Sequence, residues 1–248
     1  MSGHSKWATI KRKKGALDAA RGRIFTRIIK EITVAARHGG GDPNINPRLR
    51  LAVANAKASN MPADNIKKAI QRGTGELPGI TYEEITYEGF GPGGVAVLIE
   101  AMTDNKNRTV SEIRHLFSKY NGNLGESGSV KRMFERSGVI EVDKGLYKED
   151  DLLGMVLDAG GEDLQVVGDV YEIYTHANDF EKVKDALEKT GVQIKNAEMK
   201  MNPTLTVRLE GKNAESMLKL MEALEEHDDA QHVYANFDID ESIMEAIG

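Results

Sequence analysis

Apolar residues recur at a helical period over the first third of the chain. Ile24, Ile28 and Ile32 follow one another in steps of four, with Phe25 and Ile29 beside them, which predicts an amphipathic helix from about Asp18. The glycines after His38 stop it. Asn46 followed by Pro47 predicts an N-cap and first turn for a second helix carrying Leu49, Val53 and Ala56. A third helix follows Met61 and Pro62, carries Ile66 and Ile70, and ends at Gly73. Three short amphipathic helices cannot bury their apolar stripes singly, so a small bundle is expected. GTGELPG at 73–79 has the composition of a linker.

Beyond it the period changes to two. EEITYEGF and VAVLIEAM predict a strand pair joined by GPGG, NRTVSEIRHLFSKY a helix, and GSVKRMFE a strand. GVIEV, DLLGMVLDAG, DLQVV, VYEIYTH, FEKVKDALEKTG and IKNAEMKM then give the order β-α-β-β-α-β, which is ferredoxin-like. LTVRLEG (strand), AESMLKLMEALEEH (helix) and HVYANFDI (strand) remain. The expected architecture is multi-domain, α and α+β. A basic three-helix bundle with a flexible N-terminal arm occupies 1–79, and a discontinuous α+β domain takes 80–136 with 204–248. A ferredoxin-like α+β domain is inserted at 137–203, as happens where domain termini lie close together.

Charge changes this picture most. Residues 1–75 hold 16 Lys and Arg against Asp18, Glu31, Asp42 and Asp64, a net of +12. The rest of the chain holds 17 bases and 35 acids, a net of −18. The whole-chain net of −6 therefore hides a polycation joined to a polyanion, which points to an anionic partner for the front. Nucleic acid is expected, DNA or folded RNA, which charge does not separate. A membrane is not, because large apolar residues do not interleave the basic run. The absence of cysteine excludes disulfides and thiolate metal sites and suits a reducing, cytoplasmic setting. The N-terminus has no apolar run of a secretory signal, and no stretch approaches the roughly 18 apolar residues of a membrane span.

The candidate phosphate contacts are Lys6, Lys11, Arg12, Lys13 and Lys14 in the arm, and Arg21, Arg23, Arg27 and Lys30 on the first helix. Trp7, the single tryptophan, is the candidate for stacking on a base. Lys106 and Arg108, in TDNKNRT at a helix start, are candidates to extend the surface, with Asn107 or Thr109 as helix cap. GFGPGG at 89–94 matches G-x-G-x-x-G, but a strand follows it, so a hairpin turn is expected. His227 and His232 in HDDAQH are five apart, off the i, i+4 spacing of paired metal ligands. No metal, cofactor or catalytic residue is assigned, and the chain is expected to be non-enzymatic.

The opening GHSKWATIKRKK, then RGRIFTRIIKEI, NPRLR at 46–50, NMPADNI at 60–66, YEGFGPGGVAV, TDNKNRT and the late ANFDI together resemble the YebC family. The resemblance runs through nearly the whole chain. It implies a helical bundle followed by two α+β domains, one inserted in the other. It also implies a DNA-binding regulator of transcription. The alternative it carries is a translation factor associated with the ribosome, binding structured RNA (ribosomal RNA) and relieving stalling. The resemblance supplies no catalytic residues.

Overall fold

The structure is a computed structural model that describes Trp7 and residues 17–247. The other residues of the basic arm, Lys6, Lys11, Arg12, Lys13 and Lys14 among them, lie outside the described residues.

Helix α1 (Leu17–Gly39) carries α2 (Pro47–Ala58) and α3 (Ala63–Thr74) on its flank. Ile32, Ala35, Leu49, Ala52, Ala56, Ile66 and Ala69 form their shared core. Local chemistry sets the ends. The Asn46 side chain accepts from Leu49 N at 3.1 Å, capping α2, and donates to the carbonyls of Ala35 and Gly40 at 2.9 Å. One buried amide thereby closes the start of α2 and the end of α1, where such a cap contributes about 1 kcal/mol. Gly75 ends α3 in the left-handed conformation, φ 84°.

The first sheet has the order β3-β1-β2-β9, from β1 (Glu83–Phe90), β2 (Ala96–Thr103), β3 (Asn123–Leu124) and β9 (Ala230–Ala235). All its pairings are antiparallel. GPGG at 91–94 makes the β1–β2 turn, with Gly93 and Gly94 at positive φ, as the hairpin expectation requires. Helices α4 (Lys106–Lys119) and α7 (Gly211–Glu225) supply Ile113, Phe117, Met217, Leu218 and Met221 to its core, beside Tyr87, Val97 and Ile99. Trp7 belongs to this same cluster. A short parallel pair, β8 (Val207–Arg208) with β10 (Phe237–Asp238), and α8 (Glu241–Ile247) complete the region.

The second sheet has the order β5-β6-β4-β7 and is antiparallel throughout. Its strands are β4 (Phe134–Asp143), β5 (Asp163–Val167), β6 (Val170–His176) and β7 (Ile194–Pro203). Helices α5 (Glu149–Ala159) and α6 (Phe180–Lys189) pack Leu152, Val156, Phe180, Val183 and Leu187 on Ile140, Val142 and Ile173. Ala96, Leu98 and Tyr234 of the first sheet meet Val130, Phe134 and nearby Met201 in a small seam between the sheets.

Two strand expectations need correction. Of GSVKRMFE only Phe134 and Glu135 are strand, as the start of β4; residues 128–133 are not. The buried Glu88 carboxylate accepts from the backbone N–H groups of Gly128, Val130 and Lys131 at 2.7–2.8 Å, curling that stretch into turns. Strand β4 then runs unbroken through residues 136 and 137, where one strand was expected to end and another to begin. HVYANFDI is broken at Asn236, whose side chain accepts from Ala96 N at 2.7 Å and donates to Leu205 O at 3.1 Å.

Helices α1 and α3 approach closely at Gly73, where a Cβ would lie 2.4 Å from the Thr33 carbonyl and 2.7 Å from Ala36 Cβ. Gly73→Ala should therefore destabilise by about 1–3 kcal/mol, because overpacking of α1 against α3 exceeds the ~1 kcal/mol gained in helix propensity. Gly22→Ala meets nothing within 4 Å and should stabilise by about 0.5–1 kcal/mol. Chemical unfolding followed by circular dichroism checks both signs.

Candidate nucleic-acid interface

The basic residues of α1 sit where the bundle meets the first sheet. Arg23, Arg27 and Lys30 recur at i, i+4 and i+7, so they share a stripe. That stripe lies on the end of α7 and the turn that follows. Arg23 Nη2 pairs with Glu226 Oε1 at 3.3 Å, and Arg27 Nη2 donates to the Glu225 carbonyl. A cation at the last carbonyls of a helix also complements its dipole.

Lys30 goes deeper. Its ammonium donates to Asp229 Oδ1 at 2.7 Å, to Asp228 O at 2.9 Å and to Met102 O at 3.1 Å. The Tyr82 ring centroid lies 5.4 Å away. Three donors meet three acceptors, and the Lys30 and Asp229 side chains are 7% and 4% exposed.

Asp229 collects the remaining partners. Its Oδ2 accepts from Arg108 Nη2 and from Thr109 Oγ1, each at 2.7 Å. Thr109 Oγ1 is also 2.8 Å from Thr103 Oγ1. Burial pushes the Asp229 carboxyl up, but the hydrogen bonds from Lys30, Thr109 and Arg108, with the Lys30 charge, outweigh it and hold the group well below the usual carboxylate range. The helix start in TDNKNRT is capped by Asn105, which accepts from Arg108 N at 3.1 Å; neither Asn107 nor Thr109 is the cap.

Glu112, His227 and Asp229 bring ligand atoms within 4.8 Å of one another. Their ligand atoms already have protein partners. His227 Nδ1 accepts from Asp229 N at 3.1 Å, and Nε2 lies 3.0 Å from Glu112 Oε2. Lys30 and Arg108 already neutralise Asp229, so the cluster has the chemistry of an ion-pair network. His232 stands apart from it, stacked near Tyr234.

The structure thus relocates several expected contacts. Trp7 is fully buried, so it offers no face to a base. Lys30 has no donor left for a phosphate. Arg27 is turned to the end of α7. Arg23 and Arg108 are 39% and 43% exposed, each in ion pairs, and Lys106 pairs with Glu83 at 2.5 Å on the surface. Arg21 lies in α1. Asp229, Thr103 and Thr109, the centre of this junction, lie in the two segments the sequence singled out, HDDAQH and TDNKNRT, but nothing in the sequence joined those segments to each other or to Lys30. One signal was present: from Lys30 to Ala36 every residue but Glu31 is buried, and KEITVAA has lost the amphipathic alternation of the turns before it.

Asp229→Asn leaves the Lys30 ammonium buried without its counter-charge and should cost about 3–5 kcal/mol, whereas Arg23→Ala at the exposed pair should cost under about 1 kcal/mol. Because the folded Asp229 carboxyl is depressed, its contribution is fully present above the unfolded value near pH ~3.9 and is lost as pH falls towards the folded one. Urea unfolding across a pH series should show a smaller loss of stability in acid for Asp229→Asn than for the wild type, the remainder coming from carboxylates such as Glu84 and Glu88 that are also held below their usual range.

Comparison with known proteins agrees with the full length of the chain. Residues 5–76 match the TACO1/YebC protein N-terminal domain, and residues 82–237 match the TACO1/YebC second and third domain. A probable transcriptional regulatory protein of Koribacter versatilis is 59% identical over 247 residues, covering 100% of this chain and 99% of the relative. Another, from Geobacter sulfurreducens, is 58% identical over 247 residues and covers 100% of both. The crystal structure of a conserved hypothetical protein from Aquifex aeolicus superposes with a TM-score of 0.84 at 49% identity, over 91% of this chain and 93% of that one. The chain belongs to the TACO1/YebC family.

Proposed function

We propose that this protein is a non-enzymatic regulator of transcription that holds DNA through its basic front end. The observation that carries this is the division of charge, +12 over residues 1–75 against −18 over the remainder. Long-range repulsion keeps the acidic rear off a polyphosphate while the front is drawn to it. The names of the relatives, probable transcriptional regulatory proteins, point the same way.

In this reading Lys6, Lys11, Arg12, Lys13, Lys14 and Arg21 neutralise phosphates, with Arg23, Arg108 and Lys106 at the margin. Phosphate contacts position a protein without reading sequence. The domains act as a helical bundle, a discontinuous α+β body, and a ferredoxin-like unit looped out of it. The second sheet, drawn entirely from 134–203, supports that division. No helix among the described residues is long and apolar enough to cross a membrane. The cysteine-free chain suits work in the cytoplasm.

Reversing Lys11, Arg12, Lys13 and Lys14 to Glu should weaken duplex DNA binding and flatten the slope of log affinity against log salt by up to about 3.6, at about 0.9 per lost phosphate contact. Fluorescence anisotropy over a salt series measures both. Unchanged binding removes the arm from the mechanism. Comigration with ribosomal particles that survives DNase, without enrichment on promoter DNA, moves the function to translation.

A further inference from the structure

The cations of the helical bundle fall into two sets. The inward set is paired. Arg23, Arg27 and Lys30 dock on the end of α7, and Arg48 joins Glu31 to Glu84 through contacts of 2.6–3.2 Å. The outward set, Lys68 apart, is not. Lys57, Lys67 and Arg72 are exposed and form no ion pair among the described residues. Arg50, also exposed, reaches only the carbonyls of Pro43 and Asn44, at 3.3 Å. Lys68 meets Asp64 at 3.4 Å on the open surface, a pair that contributes little.

The spacing places these charges on ordered faces. On α2, Arg50, Ala54 and Lys57 follow i, i+4, i+7, beside the buried row of Leu49, Ala52 and Ala56. On α3, Lys68 and Arg72 are i, i+4 with Lys67 adjacent, while Ile66, Ala69 and Gly73 turn inward. Both helices lay their apolar rows on α1, so both charged rows point away from it. The exposed residues between the cations on α2 include Ala54, Asn55 and Ala58, small enough for a close backbone approach. Asp64 is the single acid from Pro43 to Gly75.

The same faces carry no ring. From Gly39 to Thr81 the sequence has no Phe, Tyr or Trp, and Trp7 is buried. Proteins that hold unpaired strands stack bases on aromatic side chains. A cationic surface without them, fixed on rigid helices, suits a regular array of phosphates.

We propose that the outward face of α2 and α3 is a docking surface for the phosphate backbone of a DNA duplex, with Arg50, Lys57, Lys67 and Arg72 as its contacts. This rests on the nucleic-acid function proposed above and specifies the surface and the form of the partner. Contacts of this kind carry no base information, so binding is tolerant of sequence and steeply dependent on salt.

The test uses the full chain carrying Lys57→Glu, Lys67→Glu and Arg72→Glu together. Fluorescence anisotropy is read over a salt series with a DNA duplex of random sequence, the matching RNA duplex, and the single strand. Duplex affinity should fall by about tenfold or more, and the salt slope should drop by about 2.7 for three contacts. The single strand should bind more weakly than either duplex from the start. Tighter binding of the DNA duplex, weakened in the variant, supports the surface, whereas a preference for the RNA duplex overturns DNA as its occupant. If circular dichroism shows the triple reversal misfolded, the Lys57→Gln, Lys67→Gln and Arg72→Gln protein replaces it, with the same slope expected. Wild-type affinity and slope in the folded variant, while the arm reversal abolishes binding, overturns this surface and leaves the proposed function standing. Failure of the unmodified protein to bind either duplex in dilute buffer overturns both.

Discussion

An ammonium and a carboxylate removed from water fix the relation between the helical bundle and the rest of the molecule. Desolvating Lys30 and Asp229 costs several kcal/mol per ion. The cost is offset only because every donor of Lys30 and both oxygens of Asp229 have partners. Such a pair tolerates little displacement, since moving either group strands the other. The long α1 is therefore a structural strut. From Lys30 to Ala36 it is buried except at Glu31, its earlier turns rest on the end of α7, and its neighbours α2 and α3 are held at a set attitude to the sheets.

The same residue types do opposite work on the two sides of the bundle. Inward, arginine and lysine meet carboxylates and helix-end carbonyls from the acidic part of the chain, and the two parts neutralise each other at their contact. Outward, they meet solvent. A positive balance over a segment is thus not a measure of its free positive surface. Arg48 illustrates the difference: Glu31 and Glu84 hold its guanidinium so firmly that its proton affinity rises further above the ordinary arginine range.

Much of the fold was legible because its signals are local. Asn46–Pro47 announced the start of α2, and Gly73–Gly75 the end of α3. The alternation in EEITYEGF and VYEIYTH marked real strands. The errors arose where a contact distant in sequence rewrites the backbone, as the Glu88 carboxylate does for residues 128–131 and as Ala96 and Leu205 do by binding the Asn236 side chain. The candidate site suffered more for the same reason. Lys30 and Asp229 are separated by 199 positions, and no periodicity relates them. Trp7, set among lysines, looked like a surface residue, yet it belongs to the core beneath the first sheet.

The neck of the second sheet has a mechanical consequence. Residues 134–203 leave and rejoin the body side by side, with the Thr204 N–H and hydroxyl both reaching the Met133 carbonyl, at 2.9 and 3.2 Å. Tension applied between the two ends of the chain would pass across this pinch point. The looped-out strands would bear no load until the pinch gives way, so the first sheet and its junction with α1 would yield while the second sheet stayed slack.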